Sequence, residues 1–186
     1  VSDEAKLIDA ALAGDADAFG QLVRQHQDRL FASMVQVTRS AEEAEDVVQD
    51  AFVRAYLKLD TFQRNSRFFT WLYRIAFNSA LSRRRKKQAN ISLDQTRENL
   101  GQEPSDDVEA PDERLLRGER VALVQTALDQ LSTEHRAILV LRELEDYPYE
   151  EIAEILAISI GTVRSRLSRA RTQLRQTLEA LQQDDG

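Results

Sequence analysis

Residues 149–171 read YEEIAEILAISIGTVRSRLSRAR, and the fold follows from how this stretch divides. Ile152, Ala153, Ile155 and Leu156 recur at helical spacing and give a first short helix one apolar side. Ala153 is small, as needed where a second helix crosses close by. Ala157, Ile158 and Ser159 form a turn, and Ser159 is placed to cap the next helix with Thr162 at its N3 position. Val163, Leu167, Ala170 and Leu174 then make the buried stripe of that second helix. Thr162, Ser165, Arg166 and Arg169 project from another face. A packed back with donors and guanidinium forks in front is what a recognition helix in a major groove requires. An amphipathic hairpin with a solvated arginine face has the same spacing, so this stretch alone fixes a helix-turn-helix rather than a ligand. Ala157 stands at a turn position that such motifs often give to Gly, and Pro148 suits a first helical turn.

Working outward, nearly everything else also reads as helix. Upstream lie segments from about Asp112 to Gln130 and from Ser132 to Glu145, and downstream the helix from Ile160 runs to about Leu181. In the first half, helices are expected from Asp3 to Ala13, stopped by Gly14, and from Asp15 or Asp17 through Val35. A third opens with Ser40 and Glu43 at capping-box spacing and buries Ala44, Val47, Val48, Ala51, Ala55 and Leu59. A fourth starts after Ser66 and runs to Lys87. From Ala89 to Asp112 the periodicity dissolves into polar residues, Gly101, Pro104 and Pro111, the composition of a linker. The expected architecture is all-α: two small helical domains, residues 1–88 and 113–186, joined by a flexible acidic linker at 89–112, with a helix-turn-helix in the second.

A net charge of −7 argues against nucleic acid until the charges are mapped. Between Ala89 and Leu116, eight acids (Asp94, Glu98, Glu103, Asp106, Asp107, Glu109, Asp112 and Glu113) meet only Arg97 and Arg114, a local charge of −6. Elsewhere the charge is near neutral and its cations are clustered. One cluster is Arg83, Arg84, Arg85, Lys86 and Lys87; the other is Arg164, Arg166, Arg169, Arg171 and Arg175. Local field governs phosphate binding more than net charge does. Cations at a helix C-terminus also suit its dipole, so the first cluster by itself carries no sequence specificity.

Other classes are bounded by what is absent. With no cysteine the chain holds no disulfide, thiolate metal site or cysteine nucleophile. His26 and His135 lack partners at ligand spacing, so no metal or cofactor is expected, and His26 reads as an ordinary helix residue. No apolar run is long enough for membrane insertion, no secretory signal is visible, and a cytoplasmic location is expected.

Eight of the twelve aromatic residues lie between Phe52 and Phe77, with Arg74 among them and Asn78 and the first basic cluster following. Aromatics beside cations suit single-stranded DNA, whose bases stack on rings while phosphates meet arginine. Trp71 and Ile75, four apart, fit a core. Phe52 and Tyr56 fit either the core or a protein partner. The polar loop Phe62–Arg67 and the face of Asn78 remain as strand-contact candidates.

Together these residues resemble the ECF (extracytoplasmic-function) sigma factor family, near its RpoE-like members. The stretch AEEAEDVVQDAFVRAYLKLDTFQRNSRFFTWLYRIAFNSALSRRRKK (41–87) is similar to the family's first domain. ALDQLSTEHRAILVLRELEDYPYEEIAEILAISIGTVRSRLSRARTQLR (127–175) is similar to its second. The resemblance implies a non-enzymatic initiation factor that binds core RNA polymerase and reads −35 and −10 promoter elements. It places Asp46, Val47, Gln49, Asp50, Phe52 and Arg54 against the polymerase β′ coiled coil. Phe62, Arg64, Asn65, Ser66, Arg67 and Phe68 would capture a flipped −10 base, with Arg74, Asn78, Arg83 and Arg84 alongside that element. Thr162, Arg164, Ser165, Arg166 and Arg169 would read the −35 element, while the second domain meets the β flap. An anti-sigma factor is the further partner implied. Where the family's loop often has a small or acidic residue before its Phe, this chain has FQRNSRFF, so the identity of the captured base does not carry over.

Two other classes make distinct expectations. A polymerase-independent operator-binding regulator accounts for Arg164–Arg175 but leaves the aromatic loop without a role. A nucleic-acid enzyme needs a nucleophile or a metal-binding carboxylate cluster, for which Asp46 and Asp50, four apart, are the nearest approach.

Overall fold

A computed structural model describes residues 3–93 and 111–184, all of whose regular elements are helices. Local chemistry sets most of their ends. Helix α1 (Asp3–Leu12) stops before Gly14, whose φ of 98° is one that L side chains rarely adopt. Asp15 then caps α2 (Ala16–Thr38), its carboxylate accepting from the Asp17 and Ala18 amides at 2.9 and 3.2 Å. Ser40 caps α3 (Ala41–Leu57) by accepting from the Glu43 amide at 3.2 Å. Only half of the expected capping box forms. The Ser40 amide donates to Thr38 Oγ1, and the Glu43 carboxylate reaches across to Lys87 at 2.6 Å.

A short 3-10 turn at Leu59–Thr61 leads into the loop before α4 (Phe68–Leu93). This helix continues six residues past Lys87, and α5 (Pro111–Asp129) begins at Pro111. Both margins of the expected 89–112 linker are therefore helical; its middle, 94–110, lies outside the described residues. The segment expected from Ser132 to Glu145 is α6 (Thr133–Leu139) continued by a π-turn over Val140–Leu144. Helices α7 (Tyr149–Leu156) and α8 (Ile160–Asp184) complete the chain.

Two sets of side chains form the interior. Leu22, Leu30, Met34, Val47 and Leu72 from α2, α3 and α4 are fully buried, as are Ile138, Leu141, Ile152, Val163 and Leu167 in the second unit. The two units also pack on each other, which their local periodicities leave open. Tyr147 is buried with its ring edge-on to Tyr73 at 6.3 Å. Arg29 lies 4.2 Å over the Phe69 ring and pairs with Glu145 at 2.8 Å, and Glu145 also accepts from the Ser33 hydroxyl. Arg39 pairs with Asp129 at 2.6 Å.

Arg136, 3% exposed, donates to the carbonyls of Leu128, Asp129 and Leu131, to Thr133 Oγ1, and across the boundary to the Val37 carbonyl at 3.2 Å. Burial pulls its pKa down to about 10, so it stays cationic near neutral pH. It draws its stabilisation from five oxygen acceptors, as a buried cation must.

Candidate nucleic-acid interface

Helix α8 is built from its cap outward. The Ser159 hydroxyl accepts from the Thr162 amide at 3.1 Å and shares a 2.8 Å hydrogen bond with the Thr162 hydroxyl. Val163, Leu167 and Ala170 are buried against α6 and α7, so one side of the helix is fixed. Arg164, Ser165 and Arg169 are then exposed, and Thr162 and Arg166 are half-buried. The five expected residues all lie outside this buried stripe but not on one line: Ser165 and Arg169 stand opposite it, while Arg164 and Arg166 flank it on either side. Arg169 is braced over one turn, donating to the Ser165 carbonyl at 3.3 Å and its hydroxyl at 3.4 Å. Arg171 is committed elsewhere, to Glu143 at 2.6 and 2.9 Å, and that hydrogen bond raises its pKa.

The loop before α4 differs from expectation. Phe62 is 8% exposed and Phe68 1%; neither ring faces solvent. Phe62 meets Phe68 at 5.7 Å and Trp71 at 5.2 Å, and Phe68 meets the His26 ring at 5.4 Å. Burying such a ring is worth about 1.5–3 kcal/mol, which holds both rings inward. The two phenylalanines anchor the loop, and the residues between them reach the surface. There Arg64, Asn65 and Arg67 are exposed and Ser66 half-buried. Arg64 adopts a left-handed φ of 59° and pairs with Asp9 of α1. His26 is held by Glu4 at 2.9 Å, so α1 is fastened behind the same loop.

Arg74, Asn78, Arg83 and Arg84 are exposed along α4. Arg83 pairs with Asp46 of α3 at 3.0 Å, and Lys87 with Glu43, so part of the basic cluster is neutralised by the neighbouring helix. On α3, Val47 and Phe52 belong to the core, at 0% and 7% exposure, because α3 packs against α2 and α4 along that side. Asp46, Gln49 and Arg54 are exposed and Asp50 half-buried. Partial burial pushes the Asp50 pKa up. The Ser79 hydroxyl at 2.5 Å, Arg54 at 2.9 Å and nearby Arg83 outweigh it and hold the carboxyl below its usual 3.8.

Several residues of these surfaces escape a reading by motif. Val53 and Leu57 join Tyr56, already a candidate for a partner, as exposed apolar groups on α3, at 55%, 72% and 48%. Their i, i+3, i+4 spacing was the available signal, a second stripe beside the core one. Glu150, Glu151 and Glu154 of α7 face the loop: with Arg64, Asn65, Ser66 and Arg67 they line a cleft of about 420 Å³. A smaller one of about 140 Å³ continues from Asn65 and Ser66 to Thr70, Trp71, Arg74, Glu154 and Ile155. No local pattern announces these contacts.

Two family models match the chain in order: sigma-70 region 2 over residues 22–90 and sigma-70 region 4 over residues 122–174. The RNA polymerase sigma-H factor of Pseudomonas aeruginosa is 36% identical over 95% of this chain and 94% of its own length. The ECF RNA polymerase sigma factor SigW of Bacillus subtilis is 36% identical over 95% and 97%. Among solved structures, the sigma factor RpoE in complex with the anti-sigma factor NepR from Bartonella quintana superposes with a TM-score of 0.69 at 28% identity, covering 87% of this chain and 96% of that one. CnrH in complex with the cytosolic domain of CnrY gives 0.62 at 30% identity, over 94% and 96%. Among the described residues no helix is long and apolar enough to cross a membrane. A helix-turn-helix with an open arginine face, joined in order to an aromatic-anchored basic helix and matched along nearly its whole length, makes this chain a member of the ECF family of RNA polymerase sigma factors.

Proposed function

We propose that the chain works as a non-enzymatic, cytoplasmic specificity subunit of bacterial RNA polymerase, with its roles divided between residues 1–88 and 113–186. Asp46, Gln49, Asp50 and Arg54 meet the β′ coiled coil. Arg64, Asn65, Ser66 and Arg67, with Arg74, Asn78, Arg83 and Arg84, contact the −10 element. Thr162, Arg164, Ser165, Arg166 and Arg169 read the −35 element, and the second unit meets the β flap. Val47, Phe52, Phe62 and Phe68 serve by packing. The observation that carries this reading is the front of α8, where a packed back presents Arg164, Ser165 and Arg169 to solvent.

The mechanism is one of binding. Removing a base from the stack costs a few kcal/mol. A loop that holds the unstacked base lowers that cost and shifts the duplex towards opening, while polymerase performs the chemistry. Regulation by an anti-sigma factor is supported by the two similar solved structures, one of which is a complex with an anti-sigma factor and the other a complex with CnrY.

The test is run-off transcription with core polymerase, with and without this chain. Defined start sites only when both are present are expected. Tight binding of the chain alone to palindromic duplex DNA, with no redirection of polymerase, overturns the reading in favour of an operator-binding regulator. Metal-dependent nicking by the purified chain overturns it in favour of an enzyme.

A further inference from the structure

We propose that Arg85, outside the set of −10 contacts given above, makes the principal phosphate contact of the first basic cluster, to duplex DNA on the −35 side of the −10 element. The inference rests on the −10 role of Arg74 and Asn78 and extends their face of α4 by two turns.

The phase of α4 singles this residue out. Asn78 follows Arg74 by four residues and Arg85 follows Asn78 by seven, so the three stand within about 40° of one another around the helix. All three are exposed, and Arg85 forms no ion pair among the described residues. Their face starts at the loop, since Trp71 and Arg74 line one cleft with Asn65 and Ser66. Arg85 lies about 10 Å beyond Asn78 along the axis, the rise of roughly three base pairs of duplex. After α4 the chain goes on to the unit that carries the −35 face, which gives that direction its sense.

The other cations of the cluster point elsewhere. Ser79, Arg83 and Lys87 recur every four residues and meet Asp50, Asp46 and Glu43 of α3 in reverse order, at 2.5, 3.0 and 2.6 Å. This ladder, with Leu72, Tyr73, Ala76 and Ala80 buried beside it, fixes the rotation of α4. Arg83, two residues before Arg85, is thereby turned about 160° away from it. Arg84 and Lys86 each stand about 100° to one side. Arg84 is near enough to Arg136 for its charge to add to burial in lowering that residue's pKa. Arg85 alone of the five is in line with Arg74 and Asn78. A cation with no internal partner has no carboxylate to give up, so the counterions released when it meets a phosphate count in full. Arg83 must leave Asp46 for the same contact, and its share is the smaller one.

The test uses full-length variants assembled with core polymerase, and alanine at an exposed helical position keeps the helix. The probes are a promoter fragment that the assembly transcribes, and the same fragment with methylphosphonates in place of the phosphates over the three base steps on the −35 side of the −10 element. Arg85→Ala is expected to weaken binding of the first probe about three- to tenfold and to lower the slope of log affinity against log salt by about one. Lys87→Ala removes the same charge from the α3 side and is expected to stay within about twofold of the parent. Neutralising the phosphates should cost the parent a similar factor and Arg85→Ala nothing further, since both changes remove one contact. The proposal is overturned if Arg85→Ala binds as the parent does, if Lys87→Ala weakens binding equally, or if Arg85→Ala still responds in full to the methylphosphonates. If Arg74→Ala and Asn78→Ala also bind as tightly as the parent, it is the −10 role of α4 that fails, and the proposal with it.

Discussion

The two basic faces of this molecule hold their charges differently. Along α8, Arg164 and Arg169 stand exposed and form no ion pair among the described residues, and the helix behind them is fixed by Val163, Leu167 and Ala170. Along α4 and its preceding loop, Arg64 is paired to Asp9, Arg83 to Asp46 and Lys87 to Glu43. The first face offers phosphates a charge that needs no internal partner displaced. At these three positions the second must exchange a carboxylate for a phosphate, so the net gain there is smaller and the geometry is tied to α1 and α3. A cluster of cations in a sequence therefore states how much charge is present, while the neighbouring helices decide how much is available.

Substitutions can break or sharpen this contrast, beginning with the largest effect. Phe68→Ala is expected to cost about 3–5 kcal/mol of stability in urea unfolding, as for other buried aromatics. A loss confined to −10 strand binding, with stability intact, would instead return that ring to the DNA surface. Arg166→Ala and Arg169→Ala should each weaken −35 discrimination by about 1–3 kcal/mol in duplex competition assays. Equal weakening on every sequence would reduce them to phosphate contacts.

Within α4, the Tyr73 hydroxyl is buried without a hydrogen bond of good geometry among the described residues; the Ser33 hydroxyl lies near enough to lower its pKa, but burial outweighs that and holds the pKa far above the usual range. Tyr73→Phe is therefore expected to raise stability by about 1 kcal/mol, measured as the urea midpoint. In the turn before α8, Ala157 adopts a left-handed φ of 54°. Ala157→Gly should add about 0.5–1 kcal/mol and leave −35 preference unchanged, separating the stability of that motif from its reading face.

The smallest effect concerns pH. Asp50 has a folded pKa below its ordinary value of 3.8. Its contribution to stability is thus complete above the unfolded pKa and lost as pH falls through the folded one. Thermal melts of the parent should show extra destabilisation below about pH 4 that Asp50→Asn lacks; parallel curves would count against the Ser79 and Arg54 contacts.

Much of the fold can be read from residue spacing because its signals are local. Asp15, Ser40, Ser132 and Ser159 each cap the helix that follows them, and the apolar stripe of α8 is buried as its period demands. The aromatic loop is legible in position but not in orientation. A phenylalanine suits a core and a base stack equally, and Phe62 and Phe68 resolve the choice only through contacts with His26 and Trp71. The π-turn at Val140–Leu144 has no residue signature, since it arises from backbone bonds shifted by one residue, such as Glu145 N to the Val140 carbonyl. Pairs such as Ser33 with Glu145, 112 positions apart, leave no periodic trace at all.

Arg136 gives the meeting of the two units a direction. Four of its five acceptors lie in its own half of the molecule, and one, the Val37 carbonyl, terminates α2 in the other. It resembles a hinge pin fixed in one leaf of a door. When the leaves part, the pin keeps its seat, and the vacated socket is the C-terminal end of α2. Fraying should accordingly begin there, one turn from the α3 cap, while the helix-turn-helix swings away intact.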